Sequence, residues 1–72
     1  MDPQTIRRLR AALNLTQAEL SAAIGYHISQ VKRWESGKVA PRAKARRAIA
    51  DYAKKNGLDV DALPAVGEAV AL

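Results

Sequence analysis

The sequence contains no cysteine and no phenylalanine. The first absence excludes a disulfide scaffold, a cysteine-based zinc site and a thiol nucleophile. The second leaves one Trp and two Tyr as the only aromatic residues. That argues against a sheet protein, whose strands draw on β-branched and aromatic side chains. No apolar run approaches the roughly 18–20 residues that span a membrane. The N-terminal stretch MDPQTIRRLR is basic with no apolar run behind it, so it does not read as a secretory signal. A single histidine without cysteine is a poor metal or catalytic centre, and the carboxylates are scattered among cap and ion-pair positions. The expectation is no enzyme, no catalytic residue, no metal and no cofactor.

What is present is short, alanine-rich and basic. A chain of 72 residues is near the lower limit for a single core that folds without staples. Fifteen of those residues are Ala, leaving 20 larger apolar side chains, and Ala favours helices because it loses no side-chain entropy there. The net charge is +5, but it is unevenly spread. Residues 1–55 hold all 12 Lys and Arg with only four acids, Asp2, Glu19, Glu35 and Asp51. Beyond them, the only charged residues are Asp59, Asp61 and Glu68. A basic body without a membrane segment points first to nucleic acid and second to anionic surfaces. The division expected is a folded, partner-binding domain over residues 1–56 and a C-terminal tail over 57–72.

Cap and turn residues predict four helices. Asp2 is a good N-cap and Pro3 suits the first helical position. The first helix is therefore expected over about Pro3–Leu13, with Ile6, Leu9 and Leu13 on its apolar side and Asn14 as a left-handed end. Thr16-Gln17-Ala18-Glu19 reads as a capping box, with Leu15 and Leu20 at the staple positions. That second helix continues through Ile24 to Gly25, and at about eight residues it is too short to persist unless packed. A third begins between His27 and Ser29 and ends before Gly37, with Val31 and Trp34 as its apolar pair. Pro41 can open a fourth helix to about Lys55, on a stripe of Ala45, Ala48, Ile49 and Tyr52, before Asn56-Gly57 ends it. Two short helices joined by a tight glycine turn are the sequence form of a helix-turn-helix.

Three groups of residues then carry a resemblance to a known family. They are Leu13-Asn14-Leu15-Thr16-Gln17-Ala18-Glu19-Leu20, then Ile24-Gly25 with Val31, then Trp34-Glu35-Ser36-Gly37-Lys38. Together, over about residues 6–41, they resemble the helix-turn-helix of the phage repressor/Cro-like (Xre-type) regulators. The implied fold is all-α, a small lambda-repressor-like bundle of four to five helices around a central helix-turn-helix. Ser21 stands where the family more often has Ala. The resemblance also implies that Arg10 and Glu35 form a structural ion pair and that Gln17 binds a backbone phosphate.

In this motif the second helix enters the major groove with its N-terminal residues against the base edges. The resemblance places His27, Ile28, Ser29, Lys32 and Arg33 there. A guanidinium can bond guanine O6 and N7 together, which favours Arg33, while Lys32 can do likewise or meet a phosphate. Ile28, expected to be exposed, packs either on a thymine methyl or on a dimer or partner surface. His27 either reads DNA directly or leaves Ser29 to cap a helix that starts later, since Ser or Thr usually caps at this point. Gln17, Lys38 and Arg42 are the expected phosphate contacts. Arg46 and Arg47 either extend them or keep the surface soluble.

The function these readings imply is sequence-specific binding of double-stranded DNA by a cytoplasmic, nucleoid-associated transcriptional regulator. It is expected to act as a dimeric (auto)repressor of phage or plasmid type on a pseudo-palindromic operator. The alternative is an antitoxin that binds a toxin and represses its own operon; an antirepressor is another possible partner. The tail, with Leu58, Val60, Leu63, Val66, Val70 and Leu72 interrupted by Pro64 and Gly67, can pack on the domain, join a dimer or stay disordered. Single-stranded RNA fits poorly, because an exposed aromatic platform is missing.

Overall fold

The computed structural model describes residues 1–63. Within them α1 (Pro3–Leu13), α2 (Gln17–Ile24), α3 (Ile28–Ser36) and α4 (Ala43–Lys55) follow in order, and a single 3₁₀ turn covers Val60–Ala62. The described residues contain no strand, so the fold is the all-α helical bundle expected. Residues 64–72, with Pro64, Val66, Gly67, Glu68, Val70 and Leu72 of the tail, lie outside the described residues.

Local chemistry sets most of the boundaries. Asp2 Oδ1 accepts from the Thr5 amide at 2.8 Å and from its hydroxyl at 2.9 Å, closing the first turn of α1. These bonds to the ionised form, the backbone one foremost, hold the Asp2 carboxyl below its ordinary range. Asn14 ends α1 at φ 56, ψ 46, the left-handed region that Asn tolerates better than most side chains. The capping box of α2 is complete: the Glu19 amide donates to Thr16 Oγ1 at 3.0 Å, and the Thr16 amide donates to Glu19 Oε1 at 2.9 Å. Gly25 then turns the chain at φ 79, where a side chain would be strained.

One core joins all four helices. Ile6 and Leu9 of α1, Leu20 of α2, Val31 and Trp34 of α3, and Ala45, Ile49 and Ala53 of α4 are buried. Ser21 is buried beside them, its hydroxyl donating to the Ala18 carbonyl at 2.7 Å, so the polar atom is matched where Ala would have none to match. Leu58, Val60 and Leu63 pack against this core from the C-terminal side.

The structure corrects the start of the fourth helix. Pro41 does not open it: α4 begins at Ala43, and Arg42 is its N-cap with extended backbone, φ −79 and ψ 173. Pro41 is instead buried in the approach, and its carbonyl accepts from Arg46 Nη1 at 3.0 Å. The first helical bond runs from the Arg46 amide to the Arg42 carbonyl at 2.8 Å. The apolar stripe of Ala45, Ile49 and half-buried Tyr52 is as expected and continues beyond it to the fully buried Ala53, while Ala48 is only half-buried.

Candidate nucleic-acid interface

Helix α3 has two unlike sides. Val31, Trp34 and Glu35 are buried, whereas Ser29, Lys32, Arg33 and Ser36 are exposed. The buried side is fixed first by packing. Trp34 meets Tyr26 edge to face, with ring centroids 5.3 Å apart and planes at 65°, an arrangement the ring quadrupoles favour.

A buried ion pair fixes it further. Arg10 of α1 places Nε 2.6 Å from Glu35 Oε2 and Nη2 2.7 Å from Oε1, a two-pronged fork. Its remaining Nη1 donates to the Leu15 carbonyl at 3.1 Å. Arg7 adds a bond to the Glu35 carbonyl, and its Nε lies 3.8 Å from Oε1. The bonds to Glu35 hold the Arg10 guanidinium above its ordinary pKa, outweighing the opposing cost of burial. Thus α1, the turn before α2 and the end of α3 are tied at one point. The pair implied by the family resemblance is present, and it orients α3 from the inside.

The N-terminus of α3 is capped by His27, which narrows the two sequence readings. Helix α3 starts at Ile28, and the Ser29 amide donates to His27 Nδ1 at 3.1 Å. Ser29 is therefore the second helical residue rather than the cap. Ile28 is half-buried and not simply exposed as expected. It sits three residues before buried Val31, so helical spacing leans it toward the core side.

The other expected contacts lie on neighbouring elements. Gln17 is the first residue of α2 and half-buried, beside amides that a helix N-terminus leaves without helical partners. Lys38 is exposed in the turn after α3, and exposed Arg42 caps α4 without a side-chain bond, which leaves the start of that helix, unlike that of α2, without a side-chain cap. Arg46 is folded back onto Pro41, while Arg47 is exposed.

Between α3 and the start of α4 runs a shallow groove of about 420 Å³. Arg33, Arg42 and Lys44 line it together with Gln30 and the Tyr26–Trp34 pair, and none of the lining residues is acidic. Sequence reasoning missed Gln30 and Lys44 here. Gln30 carried a usable signal, since it lies one helical turn before Arg33. Lys44 carried none, because its placement depends on the path of residues 37–42. Among the described residues, no group of three or more His, Cys, Asp or Glu side chains is placed to hold a metal ion.

The arrangement can present a helix with hydrogen-bonding and cationic side chains, flanked by the box-capped start of α2, the uncapped start of α4 and further cations. The family model described as helix-turn-helix matches residues 6–59, three quarters of the chain. No curated protein and no solved structure matches at a significant level.

Proposed function

The chain belongs to the Cro/C1-type helix-turn-helix family and is on that ground a DNA-binding transcriptional regulator; we propose that it is a dimeric repressor that reads a pseudo-palindromic operator through α3. The observation that carries this reading is the two-sidedness of α3: its inner side is anchored by Trp34 and the Arg10–Glu35 pair, while Lys32 and Arg33 face solvent. His27, Ile28, Ser29, Lys32 and Arg33 then meet base edges, and Gln17, Lys38 and Arg42 meet phosphates. For Ile28 this means its uncovered part alone, against a thymine methyl.

Two copies follow from size. One module of this kind buries roughly 600–1,000 Å² on DNA, too little for useful specificity. The described residues measure 33 × 23 × 20 Å, so two copies of this body fit side by side on half-sites one helical turn, about 34 Å, apart. Residues 57–72 are the segment we assign to the second copy or to a protein partner, through whatever surface of Leu58, Val60 and Leu63 their packing on the core leaves uncovered. No helix among the described residues is long and apolar enough to cross a membrane, and the site of action proposed is the nucleoid.

Footprinting over the DNA upstream of its own coding region tests the proposal. A protected palindrome of roughly two helical turns is expected, with affinity falling steeply across a salt series. Protection of every sequence alike, or of a site without symmetry, would overturn the dimeric repressor. A second protein that co-purifies stoichiometrically and masks the operator-bound form would favour the antitoxin reading.

A further inference from the structure

A second groove, of about 360 Å³, runs between the C-terminal half of α4 and the 3₁₀ turn. Its apolar lining is Ala50, Leu58 and Val60, each half-buried. Its charged lining is exposed: Lys54 on the α4 side, Asp59 and Asp61 on the side of the turn. Both signs therefore border one groove, yet the ion pairs among the described residues are those of Arg7 and Arg10 with Glu35, and none joins Lys54 to either carboxylate. Asp59 already has a task, since its Oδ1 accepts from the Asp61 amide at 2.9 Å and holds the turn. The Asp61 side chain has no such task.

The charges decide what fits there. DNA and anionic surfaces bring negative charge alone, which Asp59 and Asp61 repel. A fitting partner carries both signs in reverse order. A second copy does so under a two-fold axis, because a self-complementary patch gives to its copy what it receives from it. Charge also selects this face over others. With 12 basic residues against four acidic ones, residues 1–55 stand at +8, and two such bodies repel wherever their basic faces meet. At the groove the carboxylates of one copy can meet a cation of the other. No residue of α3 lines it, so a copy seated there leaves Lys32 and Arg33 free.

We propose that this groove is the contact between two copies of the chain, in which Lys54 of each copy meets Asp61 of the other beside an apolar centre of Ala50, Leu58 and Val60. The charged pair occurs twice, once on each side of the axis, so it fixes the orientation of the dimer as well as its strength. The inference rests on the dimeric reading above and assigns the surface and the charge pair through which that dimer forms.

Sedimentation equilibrium of the full chain, wild type against two charge reversals, tests the contact without DNA. Wild type is expected to dimerise, more weakly as salt rises. Lys54→Glu and Asp61→Lys each set like charges together twice in a self-pair, and each is expected to self-associate at least about tenfold more weakly. Mixed in equal amounts, the two variants restore opposite charges at both places and should pair as wild type does. Mixing cannot rescue a damaged fold, so recovery is specific to the pairing. A wild type that stays monomeric at every concentration, variants that associate like wild type, or a mixture as weak as its components would each overturn the contact. Footprinting by wild type separates this failure from that of the proposed function. A symmetric site alongside any of those results leaves the dimeric repressor standing on another surface, whereas a site without symmetry removes the dimer itself.

Discussion

The two sides of α3 are nine residues of one helix put to opposite uses. On the inner side Trp34 and Glu35 are each 4% exposed, and the carboxylate of Glu35 is held by a guanidinium fork. On the outer side Lys32 and Arg33 are exposed, and neither forms an ion pair among the described residues. The inner side is saturated, so it can fix an orientation but can recognise nothing. The outer side is unsaturated, so it can recognise but contributes little to folding. Stability and recognition should therefore respond to different substitutions.

The largest effect expected is on the inner side. Arg10→Ala removes the guanidinium fork from the buried Glu35 carboxylate and leaves it only the longer Arg7 contact at 3.8 Å. Breaking a fully buried pair costs about 3–5 kcal/mol, and the remaining Arg7 contact places the loss toward the lower end of that range. Against a total stability of roughly 5–15 kcal/mol for ordinary domains, that brings a chain this small close to unfolding. Urea denaturation followed by helical circular dichroism measures it. A loss below about 1 kcal/mol, typical of exposed pairs, would mean that the fork does not anchor α3 and would erase the contrast between the two sides.

The intermediate effects belong to the outer side. Arg33→Ala should leave the urea midpoint where it was and weaken the operator by about 1–3 kcal/mol relative to random DNA. Lys38→Ala should weaken operator and random DNA alike and reduce the salt slope by about one. Fluorescence anisotropy on both DNAs across a salt series separates the two. Equal weakening of both DNAs by Arg33→Ala would make that residue a phosphate contact, and the reading face would have to be redrawn around Lys32.

The inner and outer sides also differ in how far the sequence discloses them. Asp2, the Thr16–Glu19 box, Asn14 and Gly25 act through bonds spanning a few residues, so their roles are written in local spacing. The core follows from periodicity almost as directly. His27 as a cap was open to two readings, because a ring nitrogen accepts only in one tautomer and one ring orientation, neither of which spacing determines. Pro41 suited a helix start by its fixed φ, yet its carbonyl was needed by Arg46 and the helix began two residues on. Lys44 reaches the groove beside Arg33 only through the path of residues 37–42, a tertiary matter. The outer side is visible as whatever the core leaves over, but the partner that it fits was suggested by family resemblance, since exposed cations alone specify no more than an anion.

The smallest effect expected returns to the scaffold and tests it by pH. The Asp2 carboxyl is held below its ordinary 3.8, mainly by the Thr5 amide and then by the Thr5 hydroxyl. A carboxyl depressed by folding stabilises the folded state above its unfolded pKa, and that contribution is lost as pH falls through the folded value. Urea midpoints of wild type and Asp2→Asn should therefore differ little at pH 7, where either side chain can cap α1. Below about pH 4 the Asp2 cap is progressively lost by protonation, so wild type should fall behind Asp2→Asn, whose cap does not titrate. Operator binding at pH 7 should be the same for both proteins, because Asp2 lies on the scaffold and touches nothing on the outer side of α3. A change in operator affinity in Asp2→Asn, with its stability unchanged, would show that the start of α1 is part of the recognition surface and that the division between the two sides is drawn in the wrong place.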